Sequence, residues 1–184
     1  MTTEYLLERE VDYVLAALTP VNRIVCQTLL HTGLRLSDVL NLKTEQLKPR
    51  FWITEQKTGK RRMVGLPAPL LRAIKDGAGE VWAFPGCRGN NHRTRQAVWK
   101  DVKRAARAFR IPQNVAPHSF RKVYAVDVLR QYGDIEKVRR VLNHGSVTTT
   151  MIYAMAAQNL EAKELAHAMR YARRVGATTT KSRR

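Results

Sequence analysis

The sequence predicts an α+β domain, mainly α-helical, with a small three-stranded antiparallel sheet on one edge. Three observations lead there. Apolar residues recur at spacings of three and four through most of the chain, which puts them on single helical faces. Between Lys43 and Pro67 that pattern gives way to short stretches, FWIT and RMVGL, around the turn signal Lys57-Thr58-Gly59-Lys60. A length of 184 residues fits one domain with a proper core. The expected organisation is one domain over residues 1–175 and a basic polar, disordered tail over 176–184.

The elements follow in order. Residues 3–18 place Leu7, Val11, Val14, Leu15 and Leu18 on one face of an opening helix. Thr19 and Pro20 read as the N-cap and first-turn proline of a second, largely buried helix that carries Cys26 and stops at Gly33. Ser37 reads as the cap of a third helix, which leaves Arg35 in the turn before it. After the hairpin, Pro67 and Pro69 start a helix that runs to about Gly77.

Residues 84–95 (FPGCRGNNHRTR) read as a basic loop leading into a helix that reaches about Phe109. Its charged face holds Arg95, Lys100, Lys103, Arg104 and Arg107 and should meet phosphates or water. His118 opens a helix to about Tyr132, and Asp134 caps a shorter one ending near Leu142. A helix from about Val147 carries Tyr153. A last one, from about Asn159 to Arg174, sets Leu165, Ala168, Met169 and Ala172 at helical spacing.

Charge points to the partner. Lys and Arg number 33 against 15 Asp and Glu, a formal net charge of +18, which favours a polyanion. A hydrophobic fraction of 44% places that charge on the surface of a folded body. No apolar run approaches the roughly 18 residues that a membrane span needs, and the acidic start MTTEYLLEREV does not resemble an export signal. Cys26 and Cys87 show no metal-ligand spacing and read as unpaired thiols of a reduced intracellular setting. A cytoplasmic, nucleoid-associated protein is expected.

Five residues make a kit for attacking a phosphodiester: Arg35, His118, Arg121, His144 and Tyr153. An arginine fork matches phosphate oxygens and keeps its charge, so two of them can hold the extra negative charge of a five-coordinate phosphorus. Tyrosine supplies a nucleophile, and a phosphotyrosine stores the energy of the broken bond for rejoining. The spacing of His118 and His144, with no carboxylate or thiol nearby, fits no ordinary zinc site, so no metal and no cofactor is expected. Tyr5, Tyr13, Tyr124, Tyr132 and Tyr171 read as amphipathic core residues. His31, His92 and His167 lack partners in the pattern and read as structural or exposed, with His92 still able to touch DNA.

Four motifs in order, TGLRLSDVLNL, QKTGKRRMVGLP, PHSFRK and LNHGSVTTTMIY, make the chain resemble the catalytic domain of the tyrosine recombinase (phage integrase) family. The resemblance implies that Arg35 and Arg121 clamp the scissile phosphate, that His118 and His144 hydrogen-bond its oxygens or move protons, and that Tyr153 attacks. Lys57 matches the hairpin lysine that protonates the leaving 5′-oxygen, since an alkoxide leaves poorly without a proton. Neighbouring arginines would favour the phenolate over the phenol, whose reference pKa is about 10. Asp38 matches an acidic residue with an orienting role. Asn143 departs from the commoner glycine before the histidine, and asparagine tolerates such backbone angles.

Lys60, Arg61, Arg93, Arg95 and Lys122 are the expected DNA-binding residues, with double-stranded DNA the partner. The implied reaction is site-specific strand cleavage and exchange through a 3′-phosphotyrosine, in a homotetramer on two DNA sites that is a monomer off DNA. Host DNA-bending proteins are candidate partners. Members usually carry an N-terminal DNA-clamping domain, whereas this sequence starts directly at the catalytic one, as a compact recombinase or a fragment would. Two alternatives use the same fold: a type IB-like topoisomerase, and a DNA-binding regulator that no longer cuts.

Overall fold

The computed structural model describes residues 5–87 and 91–142, and in the C-terminal part residues 155, 158, 159, 162–170 and 172. Helix α1 is Glu8–Ala17, α2 Pro20–Thr32 and α3 Leu36–Leu40. A 3-10 turn at Thr44–Gln46 precedes strands β1, Arg50–Thr54, and β2, Arg61–Gly65. Four helices follow: α4 Ala68–Gly77, α5 Arg95–Ala108, α6 Pro117–Tyr132 and α7 Ile135–Leu142. Residues 162–170 are helical.

The strands pair antiparallel with Phe51 opposite Val64 and Trp52 opposite Met63. Phe51, Ile53 and Val64 point into the core, while Trp52 and Met63 stand on the solvent face. Among the described residues the sheet has two strands, not the expected three. Pro67 takes the chain into α4 directly after β2, and the 3-10 turn occupies the segment before β1, so neither side supplies a third strand. Lys43 meets Trp82 only in an isolated bridge.

One apolar cluster joins α1, α2, the hairpin, α4 and α5 through residues such as Val14, Val25, Leu29, Ile53, Ile74 and Val102. Helix α2 packs on both α4 and α6, α1 lies on α5, and α6 carries α7 through a second cluster of Ala125, Val128, Val138 and Leu142. Cys26 is buried in the first cluster and Cys87 is exposed; both are free thiols. Among the described residues no helix is long and apolar enough to cross a membrane.

Several local expectations change. The first helix starts at Glu8 and not near residue 3. The cap of α3 is Arg35 itself, in place of Ser37. Thr19 caps α2 by backbone only, because its hydroxyl donates to Asp101 Oδ2 at 2.7 Å instead. Tyr13 and Tyr132 are surface residues; Tyr13 stacks on Phe109, with ring centroids 5.1 Å apart. Gly33 ends α2 at φ +60°, as a C-terminal stop should, and its missing side chain admits the Tyr124 ring.

Candidate active site

A cleft of about 1080 Å³ opens where the α2–α3 turn, the hairpin turn, α5 and the start of α6 meet. Arg35, Lys57, His118 and Arg121, drawn from three separate motifs, all line it. Asn143, His144 and Tyr153 lie outside the described residues, as do the helix expected from Val147 and the tail.

Arg35 reaches the cleft because it caps α3 with an extended backbone, φ −75° and ψ 150°, while Leu34 beside it is fully buried. Its Nη1 donates to Glu55 Oε2 at 2.5 Å. Glu55 is completely buried and also accepts from the Thr58 hydroxyl at 2.9 Å. Asp38 is buried, and its Oδ1 accepts from the Gln56 N–H at 3.0 Å, which ties α3 to the hairpin turn. Lys57 stands exposed in that turn, which Gly59 closes at φ +65°.

His118 and Arg121 lie one turn apart on α6, which starts at Pro117 in the favoured N1 position. The His118 ring keeps an exposed face, yet the cleft walls strip water from it. Burial first, then the charges of Arg121, Lys122 and Arg35, push its pKa down to about 4, so the ring is neutral at pH 7. Arg121 is 2% exposed. Its Nη1 donates to the Gly33 carbonyl and its Nη2 to the Leu142 carbonyl at 2.7 Å.

A second arginine, Arg62, was not singled out by sequence and makes the neighbouring pair of bonds. It donates to the carbonyls of Thr32 and Val141, and its Nε lies 3.8 Å from Glu55 Oε1. Its place on β2 carries no local signal, because an arginine in a strand reads as a solvent-facing residue. Burial lowers its pKa, while Glu55 acts in the opposite direction.

The five expected DNA-binding residues scatter. Arg95 lines the cleft. Lys60 is exposed in the hairpin turn, and Arg61 sits 5.4 Å from the Trp52 ring on the outer face of the sheet. Arg93 donates to Asn22 Oδ1, and Lys122 sits over the Tyr5 ring at 5.4 Å. The cleft wall on α5 is instead the stripe Arg95, Gln96, Trp99 and Lys100, opposite the buried Val98, Val102 and Ala105. Their i, i+4 spacing was the available signal. Outside the cleft, Arg104, Thr19 and Asn22 converge on Asp101, while His92 packs edge-on against Trp82.

A helical domain edged by a hairpin, with a cleft that gathers arginines, lysines and a histidine, has the fold of tyrosine recombinase catalytic domains. Solved structures superpose on it: the XerA recombinase with a TM-score of 0.68 at 22% identity, over 87% of this chain and 63% of that one. The catalytic domain of bacteriophage HP1 integrase gives 0.62 at 23% identity, over 85% and 89%. The chain belongs to the phage integrase family, whose sequence profile matches residues 4–159. The tyrosine recombinase XerD of Mycobacterium tuberculosis is 31% identical over 152 residues, covering 75% of this chain and 49% of its own length. A tyrosine recombinase of Thermosipho africanus is 29% identical over 161 residues, covering 82% and 56%. The chain therefore spans about half the length of the curated relatives it matches.

Proposed function

We propose that this chain is the strand-cutting and rejoining domain of a site-specific DNA recombinase. The observation that carries the reading is the single cleft lined by Arg35, Lys57, His118 and Arg121. Its chemistry suits a phosphodiester. Arg35 and Arg121 supply charge that does not titrate, aimed at the oxygens of a five-coordinate phosphorus. Tyr153 attacks that phosphorus, the P–O5′ bond breaks as the P–O(Tyr) bond forms, and Lys57 gives its proton to the leaving 5′-oxygen. His118, neutral at pH 7, can bond a phosphate oxygen or take the phenolic proton. The phosphotyrosine keeps the energy of the broken bond, which is available when a 5′-hydroxyl returns.

Duplex DNA is the substrate and partner in this reading. The net charge of +18 supports it, as does a structural neighbour described as the XerH recombinase bound to difH substrate in a pre-cleavage complex. Assembly of protomers on two DNA sites is part of the proposal. The helix at residues 162–170 leaves Leu165 and Met169 more than half exposed, a face suited to a neighbouring protomer. Host DNA-bending proteins and a nucleoid location belong to the same reading.

The test is a nicked duplex that traps the covalent intermediate. Wild-type protein should form a protein–DNA adduct and Tyr153→Phe should not, while both bind the duplex alike. An adduct formed equally by the variant would remove Tyr153 from the reaction. On two-site DNA the expected products are recombinants; relaxation of supercoils alone would favour the topoisomerase activity, and binding with no adduct the regulator.

A further inference from the structure

We infer that Glu55 is a positioning residue that sets the Arg35 guanidinium against the Lys57 turn. This rests on the proposed function, because it assigns Arg35 and Lys57 to the cleft chemistry. Glu55 is a fully buried carboxylate, and a buried charge must be paired to persist. Its side chain reaches one way. Oε2 accepts from Arg35 Nη1 at 2.5 Å and from Thr58 Oγ1 at 2.9 Å, and Oε1 faces Arg62 Nε at 3.8 Å.

Its main chain reaches the other way. The Glu55 N–H donates to the Lys60 carbonyl at 3.0 Å and its carbonyl accepts from the Gly59 N–H at 2.8 Å, so one residue closes the turn that displays Lys57. A fork and an amine that must act on two oxygens of one phosphorus need a fixed separation. Loss of such geometry costs rate more than binding, since the clamp matters most when charge develops. An arginine 22% exposed at a cleft edge has several rotamers open to it, and the buried carboxylate selects one.

Glu55 touches no reacting atom in this arrangement and acts through Arg35. The experiment measures adduct formation on the nicked duplex at saturating protein. Glu55→Gln keeps the shape and removes the charge. It should slow adduct formation at least tenfold while the Kd for the duplex changes less than threefold. On an Arg35→Ala background the same change should cost less than twofold, because the side chain it positions is gone. A wild-type rate for Glu55→Gln, or an equal loss on both backgrounds, would overturn the assignment.

A duplex with sulfur in place of the bridging 5′-oxygen adds an independent readout, since a thiolate leaves without a proton. Glu55→Gln should stay slow on it, whereas Lys57→Ala should recover; recovery of Glu55→Gln would overturn the action through Arg35. Should Glu55→Gln fail to fold, Thr58 carries the test. Thr58→Val should slow adduct formation at least threefold and Thr58→Ser leave it unchanged, and equal rates for the two would overturn the inference. Absence of any adduct from wild-type protein would instead sink the proposed function, and this inference with it.

Discussion

Arg62 and Arg121 grip the same two helix ends. Arg62 donates to the carbonyls of Thr32 and Val141, and Arg121 to those of Gly33 and Leu142, consecutive residues at the C-termini of α2 and α7. Helix α2 ends there at the Gly33 cap, with carbonyls that lack intrahelical partners and with the negative end of its dipole. Two fixed guanidinium charges answer both needs. They also bring α7 against the turn that holds Arg35.

Removing Arg62 should therefore weaken the fold although its strand is at an edge. Arg62→Ala loses two hydrogen bonds from a charged donor and leaves Glu55 short of a countercharge, for a cost of about 3 kcal/mol. Urea unfolding should show the loss, with Arg62→Lys between the two. Unchanged stability would mean the Thr32 and Val141 carbonyls find other partners.

Arg121 serves the frame and the cleft at once, so its variants should fail in two measurements. Arg121→Ala should lower stability and should also lose at least about 3 kcal/mol of transition-state stabilisation, comparable to loss of an oxyanion donor. Arg35→Ala, with a partly exposed side chain on one carboxylate, should show the kinetic loss with a smaller stability change. Adduct kinetics beside thermal unfolding separate the two effects.

His118 should titrate near pH 4 in the free protein, because burial and the cations Arg121, Lys122 and Arg35 disfavour its charged form. The native state then binds fewer protons than the unfolded one between about pH 6.5 and 4. The contribution of His118 to stability consequently falls as pH drops through that window. A phosphate in the cleft reverses the local charge and should raise the pKa. NMR of the ring protons, with and without a duplex oligonucleotide, would show an upward move; an unmoved titration would place the phosphate elsewhere.

Asp101 should govern stability in acid. Burial alone would raise its carboxyl, but hydrogen bonds from Asn22, Thr19 and Arg104 outweigh that and hold it at about 2. The depressed value contributes about 2 kcal/mol at neutral pH, present above pH 4 and lost as pH falls through 2. Asp101→Asn should flatten the stability profile between those values, as read by circular dichroism melts. A profile that stays steep would assign the acid loss to other carboxylates.

Gly33 should resist substitution. A Cβ there would lie 2.2 Å from Tyr124 Cδ1, and φ +60° is itself a left-handed angle. Gly33→Ala should destabilise by at least about 1 kcal/mol from the backbone alone, with the aromatic clash added. A Tm equal to wild type would show that Tyr124 can move aside freely.

The sequence by itself determined the helices and their order, the hairpin, the stop at Gly33 and the family. Those are local or motif-borne: apolar spacing sets a helical face, Pro20, Pro67 and Pro117 set starts, and TGLR, QKTGK and HSFR carry their signal in a few adjacent residues. It also grouped Arg35, Lys57, His118 and Arg121, which the fold brings to one cleft. Only the tertiary structure decided which side chains hold them. Glu55 and Arg62 read in isolation as residues on the polar face of a strand, and Asp101 as part of a charged helix face. Each is buried or half-buried because helix ends and a turn distant in sequence close over it. The reason is physical: a buried charge is stable only where partners from several elements converge, and convergence is a property of packing that no local pattern records.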